Sequence, residues 1–293
     1  MARIILMGVV VCASMFLPTA LVCRSEEQKP APEAAKAQAD LPSIDTIIAR
    51  TEDRMKDVQD IVADLRMTAS VPGLAQPVTV VGSLKCLSPG MFLMEGKTEK
   101  SPDSNEEPPL KAIKSVLKGG IIHTVFESPE KGKTTCIKLD YADFAKIKKE
   151  YADVPDFKME TPRLPDYFHY LKNEKSGGAT LKVLGVRDNL ATVECNSPDS
   201  NQRVVAVFDL KNGWVVKTDT YRDGVLDSTI ELSNVRTNTG LNAKEFEFTP
   251  PADIKVLDAA KMFRGMAESS RKWAERQKEE KKAKEEAAPG AGQ

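Results

Sequence analysis

Between residues 181 and 235 the chain alternates short β-branched and aromatic runs with tight-turn signals, a pattern that commits it to antiparallel hairpins. Residues 181–186 and 191–195 flank Arg187-Asp188-Asn189, and residues 204–210 and 214–220 flank Lys211-Asn212-Gly213. Asn-Gly between two such runs is the strongest short hairpin signal, because both residues tolerate positive φ. Residues 226–235 follow Arg222-Asp223-Gly224. There Leu226, Ser228, Ile230 and Leu232 alternate with Asp227, Thr229, Glu231 and Ser233, which gives the strand one buried and one wet face.

The earlier half reads the same way. Residues 78–85 and 91–95 surround the turn Ser88-Pro89-Gly90, and residues 121–127 and 134–139 flank a Ser-Pro-Glu-Lys-Gly-Lys turn. Glu245-Phe246-Glu247-Phe248 alternates as a short closing strand and stops at Pro250-Pro251. The sum is about nine or ten strands in hairpin order, without βαβ spacing. One strong helix precedes them. Ile44, Ile47, Ile48, Met55, Val58, Ile61, Val62 and Leu65 recur at steps of three and four behind a Ser43 N-cap, predicting an amphipathic helix over 44–65. Residues 143–147 and 167–171 predict short helices, with Pro155, Pro162 and Pro165 barring anything long between them. The fold expected is mainly β with helices (α+β). A single strongly curved antiparallel sheet is expected to fold around the N-terminal amphipathic helix and enclose an apolar interior.

The ends of the chain differ from this middle. Arg3, an apolar run over 4–17, and Pro18-Thr19-Ala20 before charged residues predict a signal peptide over 1–25, hence export. Lipidation at Cys23 is disfavoured by the bulky Val22 before it; were it to occur, the exported protein would be lipid-anchored instead of free. Residues 26–40, rich in Pro, Ala and charge, read as a flexible spacer. Residues 41–258 form the domain. Residues 259–293 form a charged helical or disordered tail, in which Met262, Phe263, Met266 and Trp273 are the side chains able to dock on the domain. The chain has 42 basic and 43 acidic residues. Without the signal, its net charge of about −3 offers no electrostatic case for nucleic acid. Cys86, Cys136 and Cys195 are too widely spaced for a redox or zinc motif; either one pair forms a disulfide or all three are buried thiols.

Three stretches carry a resemblance. They are LPSIDTIIARTEDRMKDVQDIVADLRMTASV with GSLKCLSPGMFLMEG, the hairpin run VVAVFDLKNGWVVKTDTYRDGVLDSTIELSNVRTN, and FEFTPPADIKVLD with its Phe-x-Phe-x-Pro-Pro ending. Together they resemble the LolA-like periplasmic outer-membrane lipoprotein carriers and the wider family of LolA/LolB-like domains. That resemblance implies an unclosed barrel with a helical lid. The implied function is a monomeric periplasmic carrier or binding protein holding lipid or lipoprotein acyl chains. Its alternatives are an envelope sensor module with a protein partner, or a membrane-tethered receptor. Phe92, Met94, Phe208 and Trp214 are the cavity-wall candidates, since aromatic and Met side chains line adaptable apolar pockets. The carriers' basic lid latch does not transfer. The matching stretch offers Lys85 and has Met91 where an Arg would stand, and residues 97–109 are an insertion without counterpart.

Nothing in the sequence points to catalysis. His123 lies in an apolar run and His169 among aromatics, where a hydrogen-bonded structural role is the ordinary one. Glu160 and Asp166 are neighbours only in sequence. No catalytic residue, metal ligand set or cofactor is expected.

Overall fold

The computed structural model describes residues 41–70, 76–100, 108, 110–130, 133–152, 154, 168–196 and 202–287. The predicted signal, Cys23, the spacer, the three prolines of the 155–165 stretch, Glu160 and Asp166 lie outside them. Helix α1 (Ile44–Met55) starts where the Ser43 side chain accepts a hydrogen bond from the Thr46 amide at 3.2 Å. It does not run on to Leu65. Residues 60–69 form strand β1 (Asp60–Ala69) instead, with Ile61, Ala63, Leu65, Met67 and Ala69 all buried on one face. Two of those positions also suit a helical stripe, and that overlap extends the helix on paper. Burial at every second residue shows the real period.

Among the described residues, twelve strands form one sheet. After β1 come β2 (Val78–Leu87), β3 (Met91–Thr98), β4 (Ala112–Lys118), β5 (Ile121–Glu127) and β6 (Thr134–Asp140). Helices α2 (Tyr141–Glu150) and α3 (Tyr170–Ser176) intervene before β7 (Thr180–Arg187), β8 (Leu190–Asn196), β9 (Gln202–Asp209), β10 (Trp214–Arg222) and β11 (Val225–Thr237). Strand β12 (Lys255–Asp258) leads into helix α4 (Ala259–Ala287). The order across the sheet is β12-β6-β5-β4-β3-β2-β1-β11-β10-β9-β8-β7. Two antiparallel meanders are therefore joined by the pairing of β1 with β11, and the sheet ends on β7 and β12 without closing. Among the described strands, only β12 lies parallel to its neighbour, β6.

Strands β1, β4 and β12 are additions to the sequence reading, and the strand expected at 245–248 is absent. Residues 243–246 form instead a 3₁₀ turn capped by Asn242, whose Phe246 is buried on the convex face with Leu93 and Val116. An alternating Glu-Phe-Glu-Phe run satisfies such a plug as well as a strand, because either conformation buries its aromatic side.

A pair of glycines lets the sheet bend tightly between β2 and β3. Gly82 sits directly opposite Gly96, and a Cβ on Gly82 would overlap the Glu95 carbonyl oxygen and come within 2.5 Å of the Gly96 Cα. Only a residue without a side chain permits this approach. The curl brings inward side chains of β1 to β6 into one apolar cluster with Met55 of α1, Phe144 of α2 and Ala259 of α4. A second cluster joins Ile47 of α1 and Leu171 of α3 to Val183, Ala191, Val193, Ala206, Phe208 and Val215 on β7 to β10. Ion pairs of Asp45 with Lys175 and of Glu52 with Lys172 at 3.4 Å fasten α3 to α1, and the His169 Nδ1 lies 3.0 Å from the Glu52 carboxylate. At the Asn-Gly turn, Gly213 has φ of 92°, and a Cβ there would stand 2.6 Å from the Arg54 Cβ. The glycine thus serves the turn and admits the helix at once.

Asp60, 3% exposed, ties the start of β1 to the exit of β11. Its carboxylate accepts from the amides of Thr239 (2.7 Å), Gly240 (2.9 Å) and Leu241 (3.2 Å) and from the Thr239 hydroxyl (2.8 Å). Burial pushes its pKa up, but those donors outweigh burial and hold it below the ordinary 3.8. Its stabilising contribution is therefore complete above about pH 4 and is lost as pH falls through the depressed folded value. Chemical denaturation should show Asp60→Ala less stable by about 2 kcal/mol at neutral pH, with a flatter acid limb below pH of about 4 than the parent. Gly82→Ala should cost about 2 kcal/mol or more through overlap with the β3 backbone, read as a lowered thermal midpoint.

Candidate functional site

The inner face is packed at both ends of the sheet and thinner in the middle. Register places Val204 of β9, Thr218 and Thr220 of β10, and Ser228, Ile230 and Leu232 of β11 on the concave side, in line with Met67 and Ala69 of β1. Met67 and Ala69 are buried, but Val204, Thr218, Thr220, Ile230 and Leu232 are only half-buried. Ile230 and Leu232 border the first cluster and Val204 borders the second, so the strip lies between the two packed bodies. Inward residues at the centre of a sheet are ordinarily covered completely; here apolar carbon and hydroxyl groups remain accessible.

The strip has a polar element within it and another at its loop end. Ser228 is 3% exposed, and its hydroxyl has no hydrogen-bond partner among the described residues. One step towards the β10–β11 turn, Gln202 and Arg222 face each other across β9 and β10 on the same side. The Arg222 guanidinium bonds Asp227 at 3.1 Å through Nη2, while its buried Nε has no partner among the described residues. The convex side of the same strands is ionic, with Lys217 beside Asp219 at 3.3 Å and Arg203 beside Glu194 at 3.1 Å and stacked on Tyr221.

The four wall candidates do not form one surface. Phe92 and Met94 are buried deep in the first cluster, and Phe208 is buried in the second. Trp214 is half-buried against the first cluster. The signal that does locate the strip is the inward set Ser228, Ile230, Leu232 in the β11 alternation; a bulge after Thr220 moves Leu226 off that face and leaves it 45% exposed. Lys85 lies on the convex side and pairs with Glu245 at 2.9 Å. His123 is also convex, its ring centroid 5.5 Å from that of Phe248, and burial, aided by Lys138, pushes its pKa down. His169 belongs to the α1–α3 contact. No disulfide joins the three cysteines among the described residues. Cys86 lies in the first cluster and Cys195 in the second, while Cys136 points to the opposite face from its neighbour Ile137. Burial pushes Cys136 up to about 11 and Cys195 up to about 12, the latter with help from Glu174 and Glu194.

No family model matches this chain, and no curated protein matches it in sequence. Solved structures with a partly similar course of the chain include the following three. A putative outer membrane lipoprotein-sorting protein domain from Vibrio parahaemolyticus is 11% identical, with a TM-score of 0.33 over 70% of this chain and 97% of that one. A LolA superfamily protein from Nitrosomonas europaea is 10% identical, with a TM-score of 0.31 over 71% of this chain and 99% of that one. MucB in the Pseudomonas aeruginosa MucA/MucB complex is 10% identical, with a TM-score of 0.38 over 73% of this chain and 63% of that one. These likenesses are partial and carry no family, ligand, partner or activity across to this chain.

The strip's accessibility is open to chemical test. In an Ile230→Cys variant, a maleimide at neutral pH should label the introduced thiol promptly, while buried Cys136 and Cys195 react only on unfolding. Peptide mapping of the labelled protein reads the outcome.

Proposed function

We propose that this protein is an exported, non-enzymatic carrier or binding protein that holds an acyl chain on the concave strip of β9 to β11. The carrying observation is the half-buried inward row Val204, Ile230 and Leu232, with the hydroxyls of Thr218, Thr220 and Ser228 beside it. An acyl chain needs apolar wall more than placed hydrogen bonds, and each methylene buried contributes about 0.8 kcal/mol. The polar end of the strip suits the polar end of an amphiphile. Arg222 can donate from Nε, and Ser228 can donate from its hydroxyl, to a carboxylate or ester oxygen. Asp227 already balances the Arg222 charge, which favours a single acidic or ester group over a multiply charged one. The open sheet leaves room for such a guest, since β7 and β12 do not pair. In this reading the chain acts in the periplasm, as its predicted signal suggests, with a lipid or an acylated protein as cargo.

Titration of the full chain with a fluorescent fatty acid should give saturable binding that decanoate competes away. Ile230→Glu, which sets a charge in the strip, should weaken binding roughly tenfold or more. Arg222→Gln should weaken decanoate more than decanol, because only the acid uses the guanidinium. Absence of saturable uptake, or unchanged affinity in Ile230→Glu, would refute the reading.

A further inference from the structure

Helix α4 presents two different faces, and only one is accounted for by the fold. Ala260 and Ala267 are buried against Ile147, Tyr151 and Val154, and the Phe263 ring meets that of Phe144 at 4.6 Å. Arg264 turns back to Glu150 at 3.3 Å, and Arg271 lies over the Tyr151 ring at 4.8 Å. The opposite face carries Met262, Met266 and Trp273, at the i, i+4 and i+11 positions of one stripe. Met266 is 58% exposed and Trp273 54% exposed, although the sequence marks both as able to dock on the domain. Small Ala260 and Ala267, together with Phe263, form the docked face, leaving Met266 and Trp273 outside.

We propose that this outer face of α4 seats the protein on an anionic lipid surface. Lys261, Lys272 and Arg276 flank the Met–Trp stripe on one side, and all three are exposed and outside every ion pair among the described residues. An exposed stripe of Met and Trp edged by basic side chains is what an interfacial helix requires: the apolar groups enter the headgroup boundary and the cations meet anionic lipid. No helix among the described residues is long and apolar enough to cross a membrane, so α4 lies along the surface in this arrangement. A second copy of the chain fits less well. A helical pair needs apolar residues sustained over several heptads, and beyond Trp273 the helix carries no large apolar side chain. The inference goes beyond the acyl-binding strip and does not depend on it.

Co-flotation of the full chain with vesicles tests it. Equimolar phosphatidylglycerol and phosphatidylethanolamine vesicles should carry the protein, and pure phosphatidylcholine vesicles should not. Met266→Ser with Trp273→Ser should reduce flotation roughly tenfold or more, and Lys272→Glu with Arg276→Glu should do the same, with thermal melting unchanged in both. Failure of the parent protein to float, equal flotation with phosphatidylcholine, or undiminished flotation of the Met266→Ser/Trp273→Ser variant would overturn the proposal. Sedimentation equilibrium revealing a dimer that the same variant dissolves, without vesicle binding, would assign the face to a second copy and overturn it too. Titration with the fluorescent fatty acid reads the interior strip separately, so the two readings fail independently.

Discussion

The pairing of β1 with β11 is the contact on which the molecule depends. It joins the first strand of the domain to one far along the chain, from Ile61 opposite Thr237 to Ala69 opposite Ser228. Without it the chain would hold two separate meanders, each with a free apolar face. With it there is one curled sheet whose concave side must be filled. Helix α1, immediately before β1, reaches that interior and supplies Ile47 to one cluster and Met55 to the other. The buried Asp60 carboxylate fastens the same junction, so sheet continuity, helix placement and the course of the 3₁₀ plug meet at a few residues.

A curled but unclosed sheet gives the strip its character. The Gly82–Gly96 approach bends β2 against β3 and lets the first cluster fill tightly, while α1 and α3 fill the β7–β10 end. Neither body covers the row from Val204 to Leu232 completely. Accessible carbon in that position costs hydration free energy in the empty protein. A guest with an apolar tail recovers it, and the Ser228 hydroxyl and Arg222 Nε give that guest an orientation.

Much of this architecture is legible in the sequence, and what is not has local causes. The β7–β8, β9–β10 and β10–β11 hairpins follow from Asp188-Asn189, Asn212-Gly213 and Asp223-Gly224, because turn chemistry acts over about four residues and needs no tertiary information. Strand β1 is hidden because Val58, Ile61, Val62 and Leu65 satisfy helical spacing, and only pairing with β2 and β11 selects the period of two. Strand β4 follows a polar insertion with no tight-turn signal to mark its start, and β12 is a four-residue parallel edge held by β6. The strip is half legible. Ser228, Ile230 and Leu232 stand out in the alternation of β11, but large aromatic residues point instead to Phe92 and Phe208, which the core uses. Which inward residues stay uncovered is decided by where α1 lies, a long-range fact that no window of sequence contains.

The central claim is that the uncovered row, and not the filled clusters, receives an acyl chain. Intermolecular nuclear Overhauser effects between decanoate and methyl-labelled protein test it most directly. The account predicts contacts from the chain protons to the methyl groups of Val204, Ile230 and Leu232, with the carboxyl end nearest Ser228 and Arg222. Contacts confined to exposed surface methyls such as Val225 and Leu184, or none at all under saturating decanoate, would contradict it.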